Sequence, residues 1–430
     1  MKRTTRRLVA AATLAITGLA LTGCSSGSGS GSADDGTVTL WIRDYEKALV
    51  EPLAEAYNAT HETQVEITLV PSPSYVQKLA TSIAGGDPPD VAALDLVFTP
   101  YFAQAGALVD ITDRVDALGY ADDFSPAHAS VSSFEDRTYA VPFTGDVSVL
   151  FYNKGLFAEA GLDPEDPPTT HEEIRAAAKA ITGLGGSTYG YSIPGACGGC
   201  LIFGFTPLIW GSGGDVLSED GRTATLDSPE VADALELMRG MWTDGSMPSL
   251  ARTDAGPNTA TAFQQGTVGM IADGTATMGA LVAGGKVDFG VTPLPGRDGG
   301  SASFGGGDTL AILEGSRNVD AAWEFVEWAT GEEAQTILAE QSVVPIRTDL
   351  LDDVYVPQDP RYQVFADALR VGHVPFSPVE NELFNDNNGV WVNLISQSVF
   401  GGDIPEAQRE AQADAQRILD SVVYVEEDEK

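Results

Sequence analysis

Residues 37–42 form a β-rich run, and Val65, Ile67 and Leu69 alternate as in a strand that stops at Pro71. Between these runs, Leu49, Leu53 and Tyr57 recur at helical spacing, and Val50 and Ala54 widen the stripe. Val76, Leu79, Ala80 and Ile83 give a second helical face, broken at Gly85-Gly86, and a short apolar run follows at 91–94. Strand, helix, strand, helix, strand predicts a parallel sheet with helices on both faces, an α/β class. Later segments keep the style. Residues 230–242 read as a helix with Ser228 as N-cap and Pro229 in its first turn. Residues 320–329 form a helix whose Trp323, Phe325 and Trp328 belong to a core, and a last helix over 405–422 aligns Ala407, Ala411, Ala415, Ile418 and Val422. No period repeats.

The first apolar run, 8–21, follows Lys2, Arg3, Arg6 and Arg7 and ends in small residues, the composition of a secretory signal. It is shorter than the roughly 20 residues that span a bilayer, and no second run could do so. Charge narrows the partners further. The 430-residue chain carries 62 Asp and Glu against 24 Lys and Arg, a net charge of −38, and loses four of its cations with the signal. Such a surface repels nucleic acid and anionic lipid and disfavours a polyanionic ligand, while neutral or cationic solutes meet no such barrier. The acidic run at 426–429 is a solvated tail.

Catalytic motifs are scarce. Past residue 36, no serine has glycine two places away on both sides, so the nucleophile elbow is missing from the body. His171-Glu172 lacks the second histidine of a zinc-protease helix, and the glycine groups at 211–214 and 305–307 fit neither a dinucleotide fingerprint nor a P-loop. Asn385-Asp386-Asn387-Asn388-Gly389 hints at a calcium loop, but Phe384 stands where its first ligand belongs. The expectation is no enzyme, no metal and no cofactor.

Two resemblances add to this. Leu21-Thr22-Gly23-Cys24 resembles a bacterial lipobox, which implies a lipoprotein signal peptide at 1–23, cleavage before Cys24 and acylation of its thiol. Residues 24–36 would then be the acylated cysteine and a flexible Ser/Gly linker, and membrane lipid a partner at the outer face of the cell membrane. Arg6-Arg7 before Leu8-Val9 also resembles a twin-arginine export signal, so the export route stays open. An exported chain favours a disulfide between the two remaining cysteines, Cys197 and Cys200, over redox or zinc work, because none of the four histidines lies near them in sequence.

The second resemblance covers about residues 38–422. Its fragments are Gly86-Asp-Pro-Pro-Asp90-Val91, Tyr139-Ala-Val-Pro142, Leu150-Phe-Tyr-Asn-Lys154, Leu156 to Leu162 and Pro167-Pro168-Thr169. They continue with Gly213-Gly214, Asp220-Gly221, Asp227-Ser-Pro-Glu230, Phe263-x-x-Gly266-x-x-Gly-Met270, Gly274, Pro293-Leu-Pro295-Gly296, Gly305-Gly306-Gly307 and Val344-Pro345. In this order they resemble the extracellular solute-binding proteins of bacterial ABC importers, in the carbohydrate-binding branch. The resemblance implies a two-lobed periplasmic-binding-protein-like fold (type II), with discontinuous lobes joined by crossing hinge strands. Crossings are placed near 142–146 and 271–274, giving one lobe of 37–143 plus 274–320 and another of 144–273 plus 321–430. It also implies a monomer that captures a carbohydrate ligand and delivers it to the transmembrane subunits of an ABC permease.

A sugar offers rim hydroxyls and weakly apolar faces, so its site needs carboxylates, amides or arginine together with aromatic plates. Positions matching the family's site are Arg43, Asp44, Tyr45 and Glu46 after the first strand, Asp95 after the third, and Asp146 and Asp273 on the crossings. Gly306 and Gly307, with Asp308, would let backbone approach the ligand. Phe203, Trp210 and Trp391 are the expected plates, with Trp41 next, although the commoner fate of such rings is the core. The CGGC insertion at 197–200, just ahead of Phe203, departs from the family pattern and leaves the substrate open. Two other classes remain: a receptor for a polyamine or other cationic solute, and an extracytoplasmic glycosidase with paired carboxylates.

Overall fold

The computed structural model describes residues 36–422. The signal segment, Cys24, the Ser/Gly linker and the acidic tail fall outside the described residues. Two sheets organise the body, built from β1 (Thr37–Arg43), β2 (Gln64–Val70), β3 (Val91–Asp95), β4 (Ala140–Val147), β5 (Val149–Asn153), β6 (Tyr189–Tyr191), β7 (Val268–Asp273), β8 (Phe289–Thr292) and β9 (Gly305–Ile312). The helices that matter here are α1 (Lys47–Thr60), α2 (Tyr75–Gly85), α3 (Pro126–Ser132), α4 (His171–Thr182), α5 (Gly198–Trp210), α6 (Pro229–Thr243) and α7 (Thr275–Gly284). They continue with α8 (Val319–Ala329), α9 (Glu332–Glu340), α10 (Tyr362–Arg370), α11 (Val390–Phe400) and α12 (Ile404–Leu419).

The first sheet runs β2-β1-β3-β9-β4. β1 pairs in parallel with β2 and β3, whereas β9 lies antiparallel to both β3 and β4. Alternation in β1 sends Val38, Leu40 and Ile42 into one core, where they meet Tyr57 of α1 and Phe325 of α8. The opposite face buries Leu79 of α2 with Leu94 and Phe102. The second sheet runs β8-β5-β7-β6. Ile174, Phe205, Met238 and Trp391, from α4, α5, α6 and α11, pack on one face of it. Val149, Phe151, Ile271, Phe289 and Phe365 fill the other. Burying both faces explains the near-continuous apolar runs of β3 and β5.

Chain passages between the sheets lie side by side. β4 leaves the first sheet at Val147 and β5 enters the second at Val149. Between them buried Ser148 donates from its backbone N–H to the Phe304 carbonyl at 3.2 Å, while its hydroxyl accepts from the Phe304 N–H at 2.9 Å. A third passage touches the same place, where the Gly145 N–H donates to the Val344 carbonyl at 3.2 Å.

The lobes interleave differently from the expectation. Antiparallel pairing of β7 with β5 continues to Asp273 opposite Val149, so 271–274 is no exit from the second sheet. β8 then pairs with β5, and Met278 and Leu281 of α7 pack in the same core. Segment 274–303 therefore packs with the second sheet, and the return crossing is at Phe304–Gly307. Conversely, Trp323, Phe325 and Leu338 of α8 and α9 pack with β1, which moves 321–340 to the first sheet. The final helix stops at Leu419, and Val422 lies beyond it.

Candidate functional site

A cavity of about 810 Å³ opens between the two sheets. Arg43, Tyr45, Glu46 and Asp95 line it from the strand ends of the first lobe. Thr144, Gly145 and Asp146 of β4 and Phe304, Gly306 and Gly307 at the start of β9 form its floor. The far wall comes from Cys197, Gly199, Ile202 and Phe203 around the start of α5, from Thr275 and Gly279 of α7, and from Asn385 and Asn387. Eight of the expected ligand-binding positions thus converge with residues that no local signal marked.

Arg43 organises the first-lobe wall. Its guanidinium donates to Asp95 Oδ2 at 2.7 Å, to Glu46 Oε1 at 3.1 Å and to Asp308 Oδ1. Sheet register creates the set, since Asp308 of β9 sits directly opposite Asp95 of β3. Burial disfavours the Arg43 charge, but the three carboxylates more than offset that and hold it protonated. Burial likewise pushes Asp95 and Asp308 above the usual carboxylate range, with Arg43 pulling back. Asp308 is fully buried and touches Arg43 rather than the cavity, so it positions the guanidinium. A network of this kind fixes geometry more than it adds stability. Glu46 Oε2 and Arg43 Nε are buried without a hydrogen-bond partner among the described residues.

Asp146 bridges the lobes. Its Oδ1 accepts from the Thr275 N–H and hydroxyl, both at 2.7 Å, and from the Val147 N–H at 2.9 Å. The carboxylate thereby caps the first turn of α7, where an anion is favoured. Its Oδ2 receives no bond from the described residues. Burial raises the Asp146 carboxyl, and those three donors moderate the rise. Asp273, expected to touch ligand, lies behind this layer and does not line the cavity. It accepts from the Gly274 N–H at 2.8 Å and the Thr277 hydroxyl at 3.0 Å, and burial pushes its carboxyl up to about 6.

Beneath the floor, His128 of α3 is fully buried; its Nε2 lies 2.8 Å from the Gly306 carbonyl and Nδ1 3.0 Å from the Ser125 hydroxyl. Burial lowers its pKa to about 4, so it stays neutral at pH 7 and donates to Gly306. Gly307 holds φ +117°, and a Cβ there would meet the Thr144 carbonyl oxygen at 1.9 Å. Only glycine fits.

Three rings face the cavity: Tyr45 on the first lobe, Phe203 on the second, and Phe304 at the crossing. Tyr45 is 63% exposed and stands 5.1 Å from the Arg43 guanidinium. Phe203 and Phe304 have centroids 5.5 Å apart. The other expected plates are elsewhere. Trp210 stacks behind Phe304 at 6.2 Å and donates its indole N–H to Asp215 at 2.8 Å, so it supports the wall from the rear. Trp391 is 1% exposed, edge-on to Phe205 and Phe384 in the second-lobe core, because its helix turns that face inward. Trp41 packs against the first lobe's outer core. Asp44 is exposed and accepts from the Ser72 N–H at 3.2 Å, since the 3-10 turn after β1 aims it away from the cavity.

Cys197 and Cys200 are joined by a disulfide. Among the described residues no cluster of three or more His, Cys, Asp or Glu could hold a metal, and no helix is long and apolar enough to cross a membrane.

Two packed α/β lobes around a polar, ring-lined cleft define a two-lobed ligand-binding protein of the periplasmic type. The chain belongs to the bacterial extracellular solute-binding protein family, whose profile matches residues 42–336. It is similar to the diacetylchitobiose binding protein DasA of Streptomyces coelicolor, with 28% identity over 79% of this chain and 82% of that protein. It also resembles the maltotriose-binding protein of Pyrococcus abyssi, with 25% identity over 80% of this chain and 74% of that one. Among solved structures, the GacH receptor of Streptomyces glaucescens, determined unliganded and with acarbose, superposes with a TM-score of 0.77. It is 27% identical and the match covers 89% of this chain and 98% of that one.

Proposed function

We propose that this protein is the saccharide receptor of an ABC importer, tethered outside the cytoplasm through acylated Cys24 and acting as a monomer. The observation that carries the reading is one cavity holding three aromatic faces together with hydroxyl-binding carboxylates on the first lobe and the crossing. Tyr45, Phe203 and Phe304 suit the C–H faces of a pyranose, and Arg43, Glu46, Asp95 and Asp146 suit its hydroxyls. Relatives that bind maltotriose and diacetylchitobiose support the same class. Because Arg43 and Phe203 stand on opposite lobes, a ligand touching both favours the closed form, and hinge motion at the stitched crossings permits it. Closure becomes dominant when that differential contact is worth several kcal/mol. A permease would then read the closed shape.

A thermal-shift screen tests this, using neutral mono-, di- and oligosaccharides, maltotriose and diacetylchitobiose among them, beside polyamines. A melting temperature that climbs with one saccharide's concentration is the expected result, since a ligand bound only to the native state stabilises it by mass action. A response to polyamines alone would replace the sugar reading with a cationic one, which the excess of cleft carboxylates over Arg43 would suit. Release of chromophore from nitrophenyl glycosides would overturn the receptor in favour of a glycosidase.

A further inference from the structure

The CGGC turn is the feature of the sequence that the receptor reading leaves unused, and it lies in the cavity wall. Cys197 is the N-cap of α5, its sulfur accepting from the Cys200 N–H at 3.3 Å. Both Cys197 and Gly199 line the cavity. Ile202 and Phe203 follow Gly199 by three and four residues, so all three share one helical face turned to the ligand space. What fixes that helix end is therefore what fixes the Phe203 plate.

Segment 384–387 grips the turn from outside. The Gly198 N–H, one of the orphan donors of the helix start, donates to Asn387 Oδ1 at 2.8 Å. A Cβ on Gly198 would sit 2.6 Å from the Phe384 carbonyl oxygen, and one on Gly199 would sit 2.8 Å from Asn385 Oδ1. The two glycines between the cysteines are thus what lets the segment lie flat on the turn. Asn385 and Asn387 also line the cavity, and the Asn387 amide keeps its NH₂ free of described partners. A disulfide closing only four residues restricts the unfolded chain far less than one closing a long loop, so global stability is a poor account of its presence.

We propose that the Cys197–Cys200 disulfide and Asn387 are specificity-determining positioning residues of the cleft. Together they lock the start of α5 to segment 384–387, and so set the spacing between the Phe203 face and the Asn385 and Asn387 amide edges. This rests on the ligand-binding reading of the cavity. The lock discriminates between saccharides that differ in substituents along one edge of the ring, because a stacked ring admits many hydroxyl patterns while amides at fixed spacing admit few.

The test uses the full chain as C197S/C200S, N387A and N387D, with maltotriose and diacetylchitobiose as probes. Hydrogen exchange on the unliganded protein is expected to speed up at least tenfold over 197–203 and 384–387 in C197S/C200S and N387A, with β1 and β3 unchanged. In calorimetry the ratio of the two dissociation constants should move at least fivefold in C197S/C200S, which leaves the Asn385 and Asn387 amides in place. N387D keeps the acceptor oxygen for the Gly198 N–H and should keep wild-type exchange over 197–203 and 384–387, while the loss of its cavity-facing NH₂ excludes it from the binding comparison. General damage to the fold would lower the active fraction but leave that ratio alone. Unchanged exchange, or an unchanged ratio beside wild-type protein that binds, overturns the proposal. If the wild-type protein binds neither probe, the saccharide reading is what fails, and local exchange alone decides whether the lock exists. Should C197S/C200S fail to fold, N387A against N387D decides on local exchange: faster exchange in N387A alone supports the lock, and equal exchange in both overturns it.

Discussion

The two walls of the cleft are built on opposite principles. The first-lobe wall is long-range: Arg43, Asp95 and Asp308 come from three strands and meet because sheet register puts them side by side. The second-lobe wall starts from a local device, a four-residue disulfide turn and the helix face it begins, which one amide ties to a loop 189 residues away. A charge network fixes orientation but is costly to break, whereas a pinned turn can be altered with little loss elsewhere.

Removing the cation tests the first wall most severely. Arg43→Ala would leave Asp95, Glu46 and the fully buried Asp308 without their counter-charge, an expected loss of about 3–5 kcal/mol in urea unfolding together with loss of ligand binding. A loss below about 1 kcal/mol would show that the first wall is as forgiving as the second.

Asp273 lies under the second wall, and its effect depends on pH. The folded carboxyl holds its proton up to about pH 6, against an ordinary value of 3.8. The native state therefore binds more protons than the unfolded chain between those values, so this group's contribution to stability falls as pH rises through that window and is flat above it. Asp273→Asn keeps Oδ1 as acceptor for the Gly274 N–H, puts an NH₂ that donates to the Thr277 hydroxyl where Oδ2 accepted from it, and carries no charge. Its stability relative to wild type should climb by about 2–3 kcal/mol between pH 4 and pH 7. His128, whose lowered pKa works in the opposite direction, is common to both proteins and cancels. A difference independent of pH would mean that Asp273 is not buried as described.

Asp44→Ala should do least. Its carboxylate holds only the Ser72 N–H at the exposed rim, so stability should change by no more than about 0.5 kcal/mol and saccharide affinity not at all. A tenfold affinity loss would extend the first wall past Tyr45.

Much of the first lobe was legible in the chain because its opening β1-α1-β2-α2-β3 run follows simple periods. Arg43, Tyr45, Glu46 and Asp95 were expected because the resemblance to solute-binding proteins puts the site at strand ends, and all four line the cavity. Asp308's bond to Arg43 was not legible, since it depends on register between residues 265 apart. The lobe boundary was misplaced for a related reason: Gly274 looks like a break, yet β7 stays hydrogen-bonded to β5 up to Asp273. Trp210 and Trp391 show the limit for aromatic residues, whose composition is the same whether a ring faces a ligand or a core. Asn385 and Asn387 read only as a failed calcium loop, because nothing local says that the loop folds back on α5.

The stitching of Ser148 to Phe304, with Gly145 tied to Val344 beside it, has a mechanical consequence. Strips of chain fastened edge to edge bend easily across their width but resist sliding or twisting past one another. Relative movement of the lobes is thereby confined to a single swing about one line. A partner that gauges the opening at one point of the rim then has, in effect, the whole geometry of the mouth.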